Sequence, residues 1–197
     1  MKLDSLRLDE KIIYNIIEPN SKVLDLGCGD GELLYLLTDG KKVKAQGIEL
    51  SEEAIYKCVE KGLSVFHTDI DSGLSEYPNA AFDYVILNQS MQEVKKIEYV
   101  LEEALRVGKK VIVGFPNFAY IRARLQLFFG GKSPVTKSLP HYWYDTPNIR
   151  FLSASDFKDY CNRKGVKILA ARYLGKRKEI FFWPNLFASS AIFIITK

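Results

Sequence analysis

The sequence contains few cysteines and no long apolar run. Cys28, Cys58 and Cys161 are odd in number and widely spaced, with no CxxC pair, which argues against a disulfide framework and against a zinc site. No stretch reaches the ~18 apolar residues that a membrane span needs. The N-terminal residues form a charged, amphipathic pattern and not a secretory signal. We therefore expect a cytoplasmic protein with no metal site and no membrane association.

The sequence also lacks internal repeats, low-complexity segments and a large excess of charge. A chain of 197 residues with 47% hydrophobic content can bury one core but is marginal for two, so we expect a single domain over residues 1–197. The net charge of +4 is too small by itself to indicate nucleic acid as a partner. All of this excess lies in residues 116–152, where Asp145 is the single acid against Arg122, Arg124, Lys132, Lys137 and Arg150. These cations form no dense stripe, so we do not expect nucleic-acid binding.

Strand and helix patterns alternate along the chain. Apolar periodicity and turn residues predict helices at about 8–17, 31–38, 94–107, 118–129 and 153–163, with a further helix starting near residue 51. They predict strands at 22–26, 44–50, 63–69, 84–88, 110–115, 166–174 and 190–196. Continuous apolar runs such as residues 111–115 are typical of strands covered on both faces. The pattern therefore predicts an α/β fold with a Rossmann-like, seven-stranded, mostly parallel sheet, helices on both faces and an antiparallel last strand.

A glycine-rich stretch, Val-Leu-Asp-Leu-Gly-Cys-Gly-Asp-Gly at residues 23–31, joins the first strand to the following helix. In such a sheet, ligands bind outside the carboxyl ends of the strands near the switch point. Glycines at 27, 29 and 31 allow a ligand to approach the backbone closely. The dinucleotide fingerprint would need a glycine at position 32, which is Glu32 here. This spacing argues against NAD.

The acidic side chains around this loop favour a cationic ligand over a pyrophosphate. Asp25, Asp30 and Glu32 surround the glycines, and one like-charge contact at ~4 Å costs roughly 4 kcal/mol at an effective dielectric near 20. Glu49 ends the second strand, where a carboxylate can accept hydrogen bonds from both ribose hydroxyls. Asp69 ends the third strand, where it can accept from an adenine amine. S-adenosylmethionine is an adenosine ligand with a sulfonium and an ammonium group, and it fits this pattern.

The order of these motifs resembles the class I S-adenosylmethionine-dependent methyltransferases. The chain presents V-L-D-L-G-C-G-D-G, then G-I-E, T-D-I and F-D-Y-V-I-L. The resemblance implies that S-adenosylmethionine or S-adenosylhomocysteine binds at the strand ends. The expected cofactor-binding residues are Asp25, Gly27, Cys28, Gly29, Asp30, Glu49, Leu50, Asp69, Ile70 and Asn88.

A longer motif in the second half of the chain resembles the MetW family of methionine-biosynthesis proteins. It contains F-P-N-F, R-L-Q-L, P-V-T-K and W-Y-D-T-P-N-I between residues 115 and 149. The resemblance implies a methyltransferase-like fold, a role in methionine synthesis and association with the homoserine O-acetyltransferase of that pathway.

The residues around the expected acceptor site leave catalysis open. Many relatives that methylate nitrogen carry Asn-Pro-Pro and an aromatic residue after the fourth strand, whereas Asn88 is followed here by Gln-Ser-Met. The segment at about 116–150 is expected to be an inserted cover, lid or docking surface. Its helix carries apolar residues at helical spacing, with Arg122 and Gln126 on another face; the apolar residues are Phe118, Ile121, Leu125 and Phe128. The candidate general bases in this segment are His141, Tyr142, Tyr144 and Asp145.

Two functional hypotheses follow from these observations. The preferred one is a methyltransferase that acts on an unidentified small-molecule acceptor. The alternative is a non-catalytic regulatory subunit that activates homoserine O-acetyltransferase and senses S-adenosylmethionine. The two hypotheses share a fold and differ in chemistry.

Overall fold

The computed structural model describes residues 6–197, and this part of the chain forms one seven-stranded sheet. The spatial order of the strands is β3-β2-β1-β4-β5-β7-β6. Strands β1 to β5 pair in parallel, and β7 runs antiparallel to both β5 and β6. The strands are β1 (Lys22–Leu26), β2 (Lys44–Glu49), β3 (Ser64–His67), β4 (Phe82–Asn88), β5 (Gly108–Pro116), β6 (Lys167–Leu174) and β7 (Ser190–Thr196). The predicted mostly parallel sheet with an antiparallel last strand is therefore confirmed.

Helices cover both faces of this sheet. The helices are α1 (Leu8–Ile16), α2 (Glu32–Lys41), α3 (Glu52–Glu60), α4 (Ile97–Val107), α5 (Ile121–Gly130), α6 (Ala154–Lys164) and α7 (Pro184–Phe187). Alternate residues of β4 point to opposite faces, as strand geometry requires. Val85 and Leu87 join a core with α4 and α6, whereas Tyr84 and Ile86 join a second core with α1 and α2.

Several elements differ from their predicted bounds. β3 ends at His67, so Asp69 lies outside the strand and caps a 3₁₀ turn at Ile70–Ser72. A short helix, α7, which the sequence pattern did not indicate, lies in the connection between β6 and β7. Pro184 begins this helix, where its missing N–H has no intrahelical partner to lose.

The strand order of the sheet has its switch point at β1. The next strand in sequence, β2, lies on one side of β1, and β4 lies on the other. A crevice forms at the carboxyl ends of two such strands because their connections lead to opposite sides. Asp25 pairs with Ile86, and the hydroxyl of Ser90 donates to the Leu26 carbonyl at 2.8 Å. The loops after β1 and β4 therefore meet at this crevice.

Candidate functional site

The loop after β1 leaves its backbone open at Gly29. Gly27, Gly29 and Gly31 have φ angles of 82°, 55° and 75°, a region that costs other residues about 1–2 kcal/mol each. A Cβ at Gly27 would lie 2.8 Å from the Cβ of Ser90, whereas a Cβ at Gly29 would meet nothing within 4 Å. Gly29 is therefore the point where a ligand can approach the loop backbone.

The carboxylate of Glu49 is fixed against this loop by backbone N–H groups. Its Oε2 accepts from Gly29 N at 2.8 Å, and its Oε1 accepts from Leu50 N at 2.8 Å and Ser51 N at 2.9 Å. A carboxylate offers about four lone-pair sites and three are used here, so one acceptor site, on Oε2, is left for a hydroxyl of a ligand. The end of β2 therefore presents a preorganised acceptor beside the glycine loop.

A surplus of negative charge surrounds the end of β1. Asp25 is buried, and this burial, together with Glu10 and Glu49, raises its pKa to about 7 while Arg7 opposes the shift. Burial also raises the pKa of Glu10. Arg7 bridges to Asp9 at 3.3 Å and to Glu10 at 3.0 Å. One arginine therefore serves several carboxyls, and a cationic ligand would lower the electrostatic cost of ionising Asp25.

The side chain of Asn88 ends β4 with an unused acceptor. Its Nδ2 donates to Asp9 Oδ2 at 3.0 Å. Its Oδ1 is buried and has no hydrogen-bond partner among residues 6–197. An unsatisfied buried oxygen is costly unless something else supplies a donor, so this atom is suited to an ammonium or hydroxyl of a ligand.

The residues after β2 and β3 form the far side of the crevice. Asp69 is exposed, and its Oδ1 accepts from Asp71 N at 2.9 Å. Ile70 lies beside the glycine loop, 3.7 Å from where a Gly27 Cβ would be. Leu50 is 61% exposed, and its carbonyl lies 3.1 Å from Nε2 of His67. Apolar surface and a free carboxylate oxygen are thus available at these strand ends.

Two further predicted loop residues take different positions. The side chain of Asp30 is exposed at the start of α2, where Oδ1 accepts from Glu32 N at 3.3 Å. Cys28 turns its thiol away from the opening, because Sγ packs against Gly47 of β2 and the core beneath α2. Burial raises the pKa of the Cys28 thiol. Only the backbone of Cys28 is therefore available to a ligand.

The structure distinguishes among the four candidate bases by their surroundings. His141, Tyr142, Tyr144 and Asp145 are all exposed. The two tyrosine rings stack on each other with centroids 5.5 Å apart. His141 lies near Glu93, whose pKa is raised by partial burial and by Glu49, and lowered by His141. His141 is thus the candidate that the structure links electrostatically to the residues after β2 and β4.

Sequence reasoning missed residues that the fold brings to the same place. Asp9 and Glu10 lie on α1. This helix was predicted, but its position over β1 was not. Gln92 is buried in the turn after β4, and its Oε1 has no hydrogen-bond partner among the described residues. The carbonyl of Gln92 accepts from the backbone N–H groups of Ile149 and Arg150 at 2.9 and 3.2 Å. These bonds attach the chain before α6 to the site, and no local sequence signal indicates them.

The apolar face of α5 is largely exposed. Leu125 is 46% exposed and Phe128 is 81% exposed, whereas Ala123 is the buried residue of this helix. Leu125 and Phe128 therefore do not pack on the core in residues 6–197. The periodicity was read correctly as a helix, but the spacing does not reveal which face meets the core.

Within residues 6–197, no group of three or more His, Cys, Asp or Glu side chains is arranged to hold a metal ion. In the same part of the chain, no helix has both the length and the apolar character to cross a membrane.

Comparison with known sequences identifies one family. The family model described as methionine biosynthesis protein MetW matches residues 7–195. The chain is also 35% identical over 201 residues to the bifunctional methionine biosynthesis protein MetXA/MetW of Rhodopirellula baltica. This alignment covers 95% of the present chain and 32% of that protein, so the chain spans about a third of the length of that relative.

Comparison with solved structures identifies the fold. A methyltransferase from Archaeoglobus fulgidus described as S-adenosylmethionine-dependent has a TM-score of 0.68 at 17% identity, with 97% of this chain and 91% of that chain covered. A methyltransferase from Thermotoga maritima with the same description has a TM-score of 0.66 at 20% identity, covering 96% and 88%. The fold is therefore that of the class I methyltransferases.

Proposed function

This chain belongs to the MetW family of methionine biosynthesis proteins, and on that premise we propose that it binds S-adenosylmethionine at the carboxyl ends of β1 to β4. The observation that carries this proposal is the Glu49 carboxylate held 2.8 Å from the backbone nitrogen of Gly29. It places a ribose acceptor beside the open glycine loop. The raised pKa of Asp25, about 7, supports a cationic ligand over a phosphate.

Each part of the cofactor has a matching group in this chain. Glu49 would accept from a ribose hydroxyl, and Asp69 from the adenine amine, with Leu50 and Ile70 supplying apolar surface to the base. The backbone of Gly27 to Asp30 would line the closest approach. Asp25 and Asn88 would receive the ammonium group, because one is a buried carboxyl and the other has a buried unpaired oxygen. S-adenosylhomocysteine shares these groups and would occupy the same site.

The first candidate activity is transfer of a methyl group to a small-molecule acceptor. The bound cofactor would supply an electrophilic methyl group on its sulfonium. This chain would then need a base to take a proton from the acceptor. His141 suits that role best among the four candidates because it is the one that interacts electrostatically with Glu93, in the turn after β4. The segment that carries His141 would also limit access of water to the crevice.

The proposed partner is homoserine O-acetyltransferase. The Rhodopirellula baltica relative is a bifunctional MetXA/MetW protein, and the present chain aligns with about a third of it. Joining two parts in one chain holds them at a high effective concentration. A separate chain of this family would need its own interface to obtain the same association.

A second candidate function is a regulatory subunit without catalysis. Tyr142, Tyr144 and Asp145 are exposed, and the run after Asn88 lacks the prolines of many nitrogen methyltransferases. In this case, binding of S-adenosylmethionine to this chain would change the activity of the acetyltransferase according to the supply of methionine. Both candidates use the same cofactor site, so they differ in whether S-adenosylmethionine is consumed.

One experiment separates the two candidates. S-adenosylhomocysteine formation is measured for the purified chain with and without homoserine O-acetyltransferase, while acetyltransferase activity is measured with and without S-adenosylmethionine. Cofactor consumption that depends on an added extract of small molecules supports methyl transfer. Acetyltransferase activity that changes with S-adenosylmethionine, without consumption, supports the regulatory subunit. No consumption and no effect on the acetyltransferase would overturn the proposed function.

A further inference from the structure

Large apolar side chains are exposed on two segments of the surface. One lies between β5 and α6 and the other between β6 and β7. Seven aromatic residues on them have 65% to 83% of their surface exposed: Phe128, Phe129, Trp143, Tyr144, Phe181, Phe182 and Trp183. Single exposed apolar residues are normal, but clusters of this kind mark interaction surfaces.

The first segment contains an open apolar groove, which we call the aromatic groove. It has a volume of about 1060 Å³ and is lined by α5 and the chain after it, including Leu125, Phe129, Val135, Tyr142 and Trp143. Tyrosine and tryptophan are enriched at protein interfaces because they bury a large apolar area with little loss of rotamer freedom. The groove is therefore suited to apolar anchor residues of a partner.

A second cavity, the basic crevice, adjoins this groove. It has a volume of about 200 Å³ and is lined by Arg122, Lys137 and Lys176 together with hydroxyl side chains. Within residues 6–197, no carboxylate lines the crevice, and none of these three cations has a carboxylate within 4.0 Å. Uncompensated cations at a surface favour an acidic partner.

The groove and the crevice form one continuous surface. Gln126 and Val135 line both of them. Gln126 donates through Nε2 to the Val135 carbonyl at 3.0 Å and accepts through Oε1 from Val135 N at 2.8 Å. Lys176 brings the crevice to the start of the second aromatic segment. An apolar centre is thus bordered by positive charge.

We propose that this surface docks homoserine O-acetyltransferase through a segment with apolar anchors and flanking carboxylates. The inference rests on the proposed function, because it names the surface used by the partner proposed there. Two observations support this occupant. The segment from 116 to 152 carries an excess of positive charge equal to that of the whole chain, which favours a partner segment with carboxylates, and the Rhodopirellula baltica relative is a bifunctional MetXA/MetW protein. A second copy of this chain fits less well, because a two-fold contact would bring Arg122, Lys137 and Lys176 of both copies together.

The test measures binding of purified homoserine O-acetyltransferase to variants of the full chain. Arg122→Glu combined with Lys137→Glu, and separately Phe129→Ser combined with Trp143→Ala, should each weaken association by roughly tenfold or more. The charge variant should also lose most of the salt dependence of binding. Binding of S-adenosylmethionine should be unchanged in both variants, which shows that they are folded. Lys167→Glu and Tyr56→Ala alter an exposed lysine and an exposed tyrosine elsewhere and should bind the partner normally.

The outcomes separate this inference from the proposed function. If the wild-type chain binds no acetyltransferase, the proposed partner is wrong and this inference falls with it. If the wild-type chain binds and both variants bind equally well, the docking surface is wrong while the proposed partner stands. If sedimentation shows a dimer of this chain that the same variants dissociate, with no effect on acetyltransferase binding, a second copy occupies the surface.

Discussion

At the scale of single residues, the protonation of Asp25 couples the proposed cofactor site to pH. Burial, with Glu10 and Glu49, raises its pKa from the ordinary value near 4 to about 7. The folded chain therefore binds this proton more tightly than the unfolded chain. Stability from this group is complete below pH ~4 and is lost as pH rises through about 7.

Asp25→Asn should remove this dependence. We expect the free energy of unfolding of the wild-type protein, relative to the variant, to fall between pH 5 and 7 by up to roughly 1 kcal/mol per pH unit, and to level off above about pH 8. Urea unfolding at several pH values measures this difference. Asp83→Asn is the control, because a hydrogen bond from Lys109 lowers the pKa of Asp83. Its effect should be constant over this range, and a constant effect for Asp25→Asn would contradict the account.

A second residue-scale prediction concerns the ribose acceptor. Glu49→Ala removes the carboxylate that accepts from Gly29, Leu50 and Ser51, so it should weaken S-adenosylmethionine binding by about 1 to 3 kcal/mol. Titration calorimetry measures the change. Glu60→Ala alters an exposed carboxylate at the end of α3 and should bind normally. Equal affinities for the two variants would exclude Glu49 from the site.

At the scale of elements, substitutions in the loop after β1 distinguish the effect of backbone strain on stability from the effect of a blocked ligand approach on affinity. Gly29 and Gly165 both have positive φ, 55° and 67°, and a Cβ at either would meet nothing within 4 Å. Gly29→Ala and Gly165→Ala should therefore lose similar stability, about 1 to 2 kcal/mol. Only Gly29→Ala should also weaken S-adenosylmethionine binding, by roughly tenfold, because its Cβ would point where the cofactor approaches the backbone. Thermal unfolding and calorimetry measure the two effects.

A comparable loss of cofactor affinity in Gly165→Ala would contradict this reading. Gly165 caps α6, far along the chain from the glycine loop, so its substitution reports strain without a ligand contact. The two variants therefore distinguish a glycine that is needed only for its positive φ from one that must also leave space for a ligand.

Helices and strands could be predicted from local sequence patterns, whereas contacts between them could not. The bounds of β1 and β7 were predicted residue for residue because turn residues flank an apolar run at each. Glu49 and Asn88 could be placed at strand ends for the same reason. The bond between Asn88 and Asp9 depends on how α1 lies over β1, and sequence periodicity does not specify that. The choice between a cover helix and an exposed helix could not be made for α5, because an apolar face has the same period whether it packs on the core or stays exposed.

At the scale of the whole molecule, the two halves of the chain differ in character. The half that ends with β4 supplies the glycine loop, Glu49 and the buried carboxyl of Asp25, which form the proposed site for a cationic adenosine ligand. The segment after β5 supplies the aromatic groove and most of the basic crevice. The backbone bonds from Ile149 and Arg150 to Gln92 connect the two halves beside the turn after β4. A partner bound at the groove would thus lie on a segment that also touches the cofactor side.

The central claim is that this chain binds S-adenosylmethionine and not a dinucleotide. The most direct measurement is calorimetric titration of S-adenosylmethionine and, separately, NAD into protein freed of carried-over ligand. The account predicts saturable binding of S-adenosylmethionine and none of NAD. At a hundredfold excess over its Kd, the cofactor should add ~2.7 kcal/mol of stability and raise the melting temperature by roughly 5 to 10 °C. Binding of NAD, or no binding of S-adenosylmethionine to the folded protein, would contradict the account.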